Sequence, residues 1–366
     1  MFRKFLTKNN LIIFLCLIIF STLLAIFALS SRHPKSAPIQ AFNVDQELST
    51  LSKQNTGDLF KPIRDNLKEL MKRGGIDGSI QLTDKAFVAG LIPLDECHSL
   101  MHLIGHAAYE YSNEDFHPIV SKDSNKCVAS FQHGVEAQIV ESKVNIMQAV
   151  PELKDYCAAL RQVLPGITCY HGAGHGTMRI THVAAKSLQL CDALAGGPET
   201  DLSDCYRGVF SEYGNMALNY DGDTGEYIPT PSTVTYDSKH PLLTCQTYAA
   251  KYQDACYSQL TKIVYQGSDI EGTYKNCQDP KYTRSAQLTC TRIISGIYSE
   301  QTLYKNDFVA APKIISTMSK DFRDVYVSGI KLGFLSYSTS GVRKDWQKSC
   351  NQLQVSDRQR CLAAYE

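Results

Sequence analysis

THVAAKSLQLCDALAGGPETDLSDCYRGVFSEYGNMAL, residues 181–218, decides the fold class. Alanine and leucine recur at helical spacing up to Leu194, so the first part is a helix. The turn formers of AGGPETDLSD break it, and Ser203 or Asp204 can cap a second helix that runs from Cys205. Cys191 and Cys205 then stand where the end of one helix meets the start of the next, spaced so that a disulfide ties the hairpin.

The same pattern extends in both directions. Cys157 with Cys169, Cys245 with Cys256, Cys277 with Cys290, and Cys350 with Cys361 are further short-range pairs, which leaves Cys97 to join Cys127. Of thirteen cysteines only Cys16 falls outside this scheme. An even set in an exported chain is the signature of a disulfide framework, and no C-x-x-C occurs to suggest zinc knuckles or thioredoxin-like redox chemistry. Closing a loop of roughly 12 residues stabilises by about 3 kcal/mol in the chain-entropy model. The second cysteines recur with an interval of 42 from Cys127 to Cys169, 34 from Cys256 to Cys290, and 51 from Cys205 to Cys256. Tyr326 occupies the place of a missing one. The longest interval holds DGDTGEYIPTPSTVTYDSKHP, residues 221–241, a turn-rich insertion that lacks the twelfth-position glutamate of a calcium loop. Sustained alternation is scarce, so strands are not expected. The expectation is an all-α, disulfide-stapled array of α-hairpins, either a superhelix or an α/α toroid, built from about seven units.

Before this body stands LIIFLCLIIFSTLLAIFAL, Leu11 to Leu29, without a charge. Nineteen such residues at a rise of about 1.5 Å each match a hydrocarbon core of roughly 30 Å. Arg3, Lys4 and Lys8 precede it, which favours a cytoplasmic N-terminus and an exported body. A cleavable signal peptide is the rival, with an apolar region long for that role. The expected organisation is a membrane anchor over 1–30, a linker over 31–45, and an extracytoplasmic helical-repeat domain over 46–366 that is histidine-rich in 97–215. With 37 basic and 37 acidic residues the chain has no field for a phosphate backbone, so nucleic acid is not an expected partner.

Eight of the ten histidines lie between His98 and His182. His98, His102 and His106 form a stripe at four-residue spacing, and two imidazoles from consecutive turns can reach one cation. His133 and Glu136 share a helix face three residues apart, and His171 and His175 repeat the spacing of four. His133 and His175 both stand six residues after the second cysteine of their unit, so neighbouring hairpins can aim them at one point. The candidate ligands are His102, His106, His133, Glu136, His171 and His175. Glu212 is the candidate catalytic group, as a general base on metal-bound water or as a further ligand. His98, beside Cys97, is expected to be turned away by the disulfide, and His117 and His182 to face solvent. Such a donor set suits zinc, iron or copper, as one ion or two.

QHGVEA and CYHGAGHG resemble the His-Gly motifs at inner-helix starts of lanthionine-cyclase-like α/α toroids. The resemblance covers these two segments and implies a toroidal layout. That family's Trp-Cys-Tyr-Gly and adjacent Cys-His zinc motifs are absent, so no activity is carried over.

Two functions are expected from these features. One is a membrane-anchored extracytoplasmic metalloprotein with a His/Glu site, a hydrolase or an oxidoreductase. The other is a non-catalytic scaffold that binds a protein, peptide or glycan, to which twenty tyrosines would contribute contact area. Residues 245–366 lack histidine, and Phe334, Tyr337 and Trp346 are expected to serve as core or interface.

Overall fold

A computed structural model describes residues 42–54, 59–122, 127, 129–195, 198–224, 234–265, 270–305, 318–337 and most of 347–363. The chain divides into a unit Met1–Asn43 and a unit Val44–Glu366, and the described residues lie almost wholly in the second. The apolar block Leu11–Leu29, with Cys16 and most of the linker, falls outside the described residues, as do Trp346 and the side chains of Phe334 and Tyr337. Among the described residues no helix is long and apolar enough to cross a membrane.

Among the described residues there are fourteen α-helices and three short 3-10 helices, and no strand accompanies them. The α-helices are α1 (Val44–Gln54), α2 (Phe60–Asp65), α3 (Leu67–Val88), α4 (Leu94–Tyr111), α5 (Ser130–Glu141), α6 (Ala149–Val163) and α7 (His171–Thr181). After them come α8 (Ala184–Ala193), α9 (Glu199–Ala217), α10 (Ala250–Tyr265), α11 (Ile270–Cys277), α12 (Arg284–Lys305), α13 (Lys320–Tyr337) and α14 (Val355–Ala363).

Two kinds of helix occur, and their sequences say why. α6 buries Ala149, Leu153, Tyr156, Cys157 and Leu160, one face at spacings of three and four, and leaves its other face wet. α7 buries every residue from Gly172 to Met178, and α5 buries nine positions around its whole circumference. Helices apolar or small all round must be covered all round. Accordingly α4 packs on α5, α5 on α7, α7 on α9, α9 on α10, α10 on α12, and α12 on α13, while α6 touches α5, and α8 touches α7 and α9.

Glycines set the depth of these contacts. A Cβ at Gly134 would strike the carbonyl of His102, and one at Gly105 would strike the carbonyl of Phe131, so α4 and α5 touch backbone to backbone. The same lock recurs where Gly208 of α9 meets the carbonyl of His171. Without side chains between the axes, imidazoles on adjacent helices come within ring contact.

All six cysteine pairs read from spacing are present, with Cα–Cα distances from 5.5 Å at Cys245–Cys256 to 6.1 Å at Cys157–Cys169. Tyr326 is fully buried in α13, in a cluster with Cys350 and Cys361. One boundary differs from expectation: α9 starts at Glu199, not near Cys205. Pro198 stands just outside it, Glu199 and Asp201 place negative charge in the first turn, and the Asp201 carboxylate accepts from the Cys169 N–H at 3.2 Å and from Arg161. Anchoring by that buried aspartate carries the helix back into the segment expected to be loop.

Candidate metal centre

Five imidazoles from three helices converge. His98 and His102 of α4 have ring centroids 4.9 Å apart, and His102 lies 5.3 Å from His133 of α5 and 5.6 Å from His175 of α7. His133 lies 4.6 Å from His171, which lies 4.9 Å from His175. His133 and His175, matched by their offset from cysteine, thus both border His102 and His171. His102 and His175 are buried, whereas His98, His133 and His171 are half-buried and form the wetter side.

What each ring nitrogen faces defines the chemistry. His98 Nδ1 is 3.0 Å from the Cys127 carbonyl, His171 Nδ1 is 3.2 Å from the Asp204 carbonyl, and His175 Nδ1 is 2.9 Å from Glu212 Oε2. His102 Nδ1 lies 3.2 Å from Asp223 Oδ1, close but poorly aligned for a hydrogen bond. Carbonyls only accept, so in His98 and His171 the proton is assigned to Nδ1 and the lone pair to Nε2, and an ionised Glu212 sets His175 the same way. Metal-binding histidines are held in this way, with the far nitrogen donating to an oxygen that orients the ring. His102 Nε2 and His133 Nδ1 have no hydrogen-bond partner although both are buried.

Burial also keeps the rings neutral. It pushes His98 and His175 down to about 3 and His102 to about 4, and it drives His133 and His171 well below the usual histidine value. In each ring the neighbouring imidazoles or Arg179 add to the effect. Neutral imidazole is the form that binds metal.

His98, His102 and His133 each offer a nitrogen lying within 4.8 Å of the others. His102, His106 and Asp223 satisfy the same criterion, but Arg179 Nη1 already stands 2.5 Å from Asp223 Oδ2. A guanidinium there repels a second cation, so this trio is a charge network. Arg179 also reaches Glu141 at 3.2 Å and Glu212 at 3.5 Å, and these three carboxylates keep it charged against burial. In Cys157, Cys169 and Asp201 the sulfurs are joined in a disulfide.

Several expected ligands have other tasks. His106 faces Gln138 Oε1 at 2.8 Å with Nδ1, and its Nε2 lies 3.3 Å from Asp223 Oδ2 and 3.2 Å from Arg179 Nη1, leaving no free lone pair toward the cluster; burial lowers its pKa, but Asp223 and Glu141 together raise it. Glu136 accepts from the N–H of Tyr170 at 3.0 Å and of Gly172 at 2.9 Å, capping α7 from a neighbouring helix. Tyr170, at the N-cap, has φ of 76°, and its own side chain makes no cap bond, so the first turn depends on Glu136. Burial raises the Glu136 carboxyl to about 8 despite those donors. Glu212 orients His175 from behind, which makes it a positioning residue.

Two residues outside the expected ligand set take part, His98 and Asp223. His98 is turned inward because the Cys97–Cys127 disulfide brings the Cys127 carbonyl to its Nδ1. Asp223 does sit in an ordinary turn, closed by Asp221 Oδ1 accepting from the N–H of Asp223 at 2.9 Å and of Thr224 at 2.8 Å. Ser99 and Arg64 donate to the Gly222 and Thr224 carbonyls and so hold that turn on α4 and α2. His117 and His182 are exposed.

No protein-family model, curated protein or solved structure matches this chain. The chemistry of the site rests on its geometry.

Proposed function

We propose that this protein is a membrane-anchored, extracytoplasmic metalloprotein in which His98, His102 and His133 hold a transition-metal ion, zinc first and copper or iron as alternatives, for hydrolytic chemistry. The observation that carries this reading is the pair of buried, unpartnered ring nitrogens, His102 Nε2 and His133 Nδ1, beside His98, whose Nδ1 faces the Cys127 carbonyl. An orphaned buried acceptor costs about 1–3 kcal/mol, and a bound cation removes that penalty.

Three imidazoles with a fourth position open match catalytic rather than closed structural zinc sites, and such an ion lowers the pKa of bound water. The half-buried rings of His98 and His133 flank the side from which solvent and substrate would approach. Asp223 orients His102, and the Cys127 carbonyl orients His98. Arg179 balances the negative charge of Asp223, Glu212 and Glu141 behind the site.

The packing order of the helices and the recurring glycine locks support a repeat array of α-hairpins as the surrounding architecture. Six disulfides support an oxidising compartment, and the charge-free block before the body supports an anchor. The test is elemental analysis of the full chain, purified in detergent without an affinity tag. Bound zinc, lost in His102→Ala and His133→Ala variants that keep native circular dichroism, is the expected result. Bound copper with the same dependence would move the chemistry to oxidation, and a wild type that takes up no zinc, copper or iron would remove the reading.

A further inference from the structure

His171 and His175, one turn apart on α7, present Nε2 to Nε2 at 3.2 Å. The Asp204 carbonyl behind His171 places that ring's proton on Nδ1, and Glu212 behind His175 does the same when it is ionised. Two lone pairs then point at each other across the gap, which is repulsive unless something positive lies between them. The separation is itself informative. Two nitrogens bound at about 2.0 Å to one tetrahedral ion stand roughly 3.3 Å apart.

We propose a second metal-ion position between His171 Nε2 and His175 Nε2, adjoining the His98/His102/His133 ion, so that the centre is dinuclear. This rests on the reading of the imidazole cluster as a metal site. The two ligand sets touch through His133 and His171 and through His102 and His175, with centroids 4.6 and 5.6 Å apart, so the two ions are neighbours. Hydrolytic two-metal centres hold their ions about 3.5–4 Å apart, a spacing compatible with rings in contact. The second ion has two protein ligands, and its remaining positions are open to solvent or substrate. Glu212 acts on it through His175, as a carboxylate does behind a metal-bound histidine.

A competing arrangement needs no second ion. In it Glu212 is protonated and donates to His175 Nδ1, and His175 Nε2–H donates to His171 Nε2. The two arrangements differ in stoichiometry. The full chain in detergent, stripped of metal, is titrated with Zn²⁺ by calorimetry and with Co²⁺ by visible absorption. Two equivalents are expected for the wild type and one for His171→Asn or His175→Gln, with unchanged melting of the stripped protein as the folding control. Glu212→Gln is expected to weaken the second equivalent by about 10–100-fold and to leave the first near its wild-type affinity. One equivalent in the wild type, unaffected by His171→Asn, overturns the second position and leaves the first ion in place. No equivalents at all overturn both.

Discussion

Removing the Cys97–Cys127 disulfide is expected to damage the metal site beyond its cost in stability, and a second disulfide supplies the control. Cys97–Cys127 closes a separation of 30 residues, and Cys350–Cys361 closes one of 11. In the chain-entropy model these contribute about 3.65 and about 2.75 kcal/mol at 25 °C, a difference of roughly 0.9 kcal/mol from the logarithm of loop length. The two double variants, Cys97→Ala/Cys127→Ala and Cys350→Ala/Cys361→Ala, should therefore lose similar stability. Only the first loses a tie beside the site. Cys97 precedes His98 in the first turn of α4, and the Cys127 carbonyl accepts from His98 Nδ1 at 3.0 Å. Freed from that oxygen, His98 no longer has its Nε2 aimed at the cluster. Losing such an orienting partner weakens metal affinity by about 10–100-fold. The assay pairs urea unfolding of the stripped protein with Zn²⁺ titration of each variant. Equal affinities in the two variants would show that the disulfide does not orient His98 and would refute the reasoning.

Four further outcomes follow from the geometry. Gly134→Ala pushes a methyl into the His102 carbonyl, with the His102 carbonyl carbon at 2.9 Å and the His106 nitrogen at 3.0 Å, so α4 and α5 must separate; about 1–3 kcal/mol or more should be lost in denaturant unfolding, together with zinc affinity. Arg179→Ala leaves Asp223, Glu212 and Glu141 without their cation, and a loss of about 3–5 kcal/mol is expected by the same measurement. Glu136→Ala removes the acceptor for the first turn of α7, at a cost of about 1–2 kcal/mol, read from the melting midpoint. The stripped protein should lose stability in acid: His98, His102 and His175 have folded pKa values of about 3, 4 and 3. The unfolded chain protonates near 6.5, so it binds more protons than the native state as pH falls from about 6.5 toward 4. Each ring then contributes on the order of 1.4 kcal/mol per pH unit, opposed by the buried carboxyls of Glu136, Glu141 and Glu212, which burial raises; the check is therefore a difference, and a His98→Asn variant with the wild-type slope in urea titrations would show that ring to be solvated.

The framework was legible because it is written locally. Disulfide partners 11 to 14 residues apart leave their spacing in the chain, and once these are assigned Cys97 and Cys127 follow. Helix type was legible for the same reason, through spacing of apolar residues and absence of alternation. The histidine cluster was half legible. Its members on α4, α5 and α7 show their four-residue spacing and shared offsets, but which nitrogen faces what depends on distant backbone. His98 was set aside because a disulfide neighbour suggested constraint away from the site, whereas the constraint supplies the oxygen that turns it inward. Asp223 gave no signal, because its turn reaches His102 across a separation of 121 residues through contacts of Ser99 and Arg64. Glu136 has a ligand's spacing from His133, yet the unsatisfied N–H groups of α7 claim it, a demand created only when the helices pack. The start of α9 was placed late for a related reason: the Asp201 carboxylate is engaged by Arg161 and the Cys169 N–H from another hairpin.

X-ray absorption at the zinc edge, on the full chain loaded with Zn²⁺, addresses the ligand set directly. Imidazole nitrogens at about 2.0–2.1 Å, with the multiple-scattering pattern of histidine rings, are the expected first shell. A shell dominated by sulfur or by carboxylate oxygen, or a chain that retains no zinc, would contradict the assignment of these five rings.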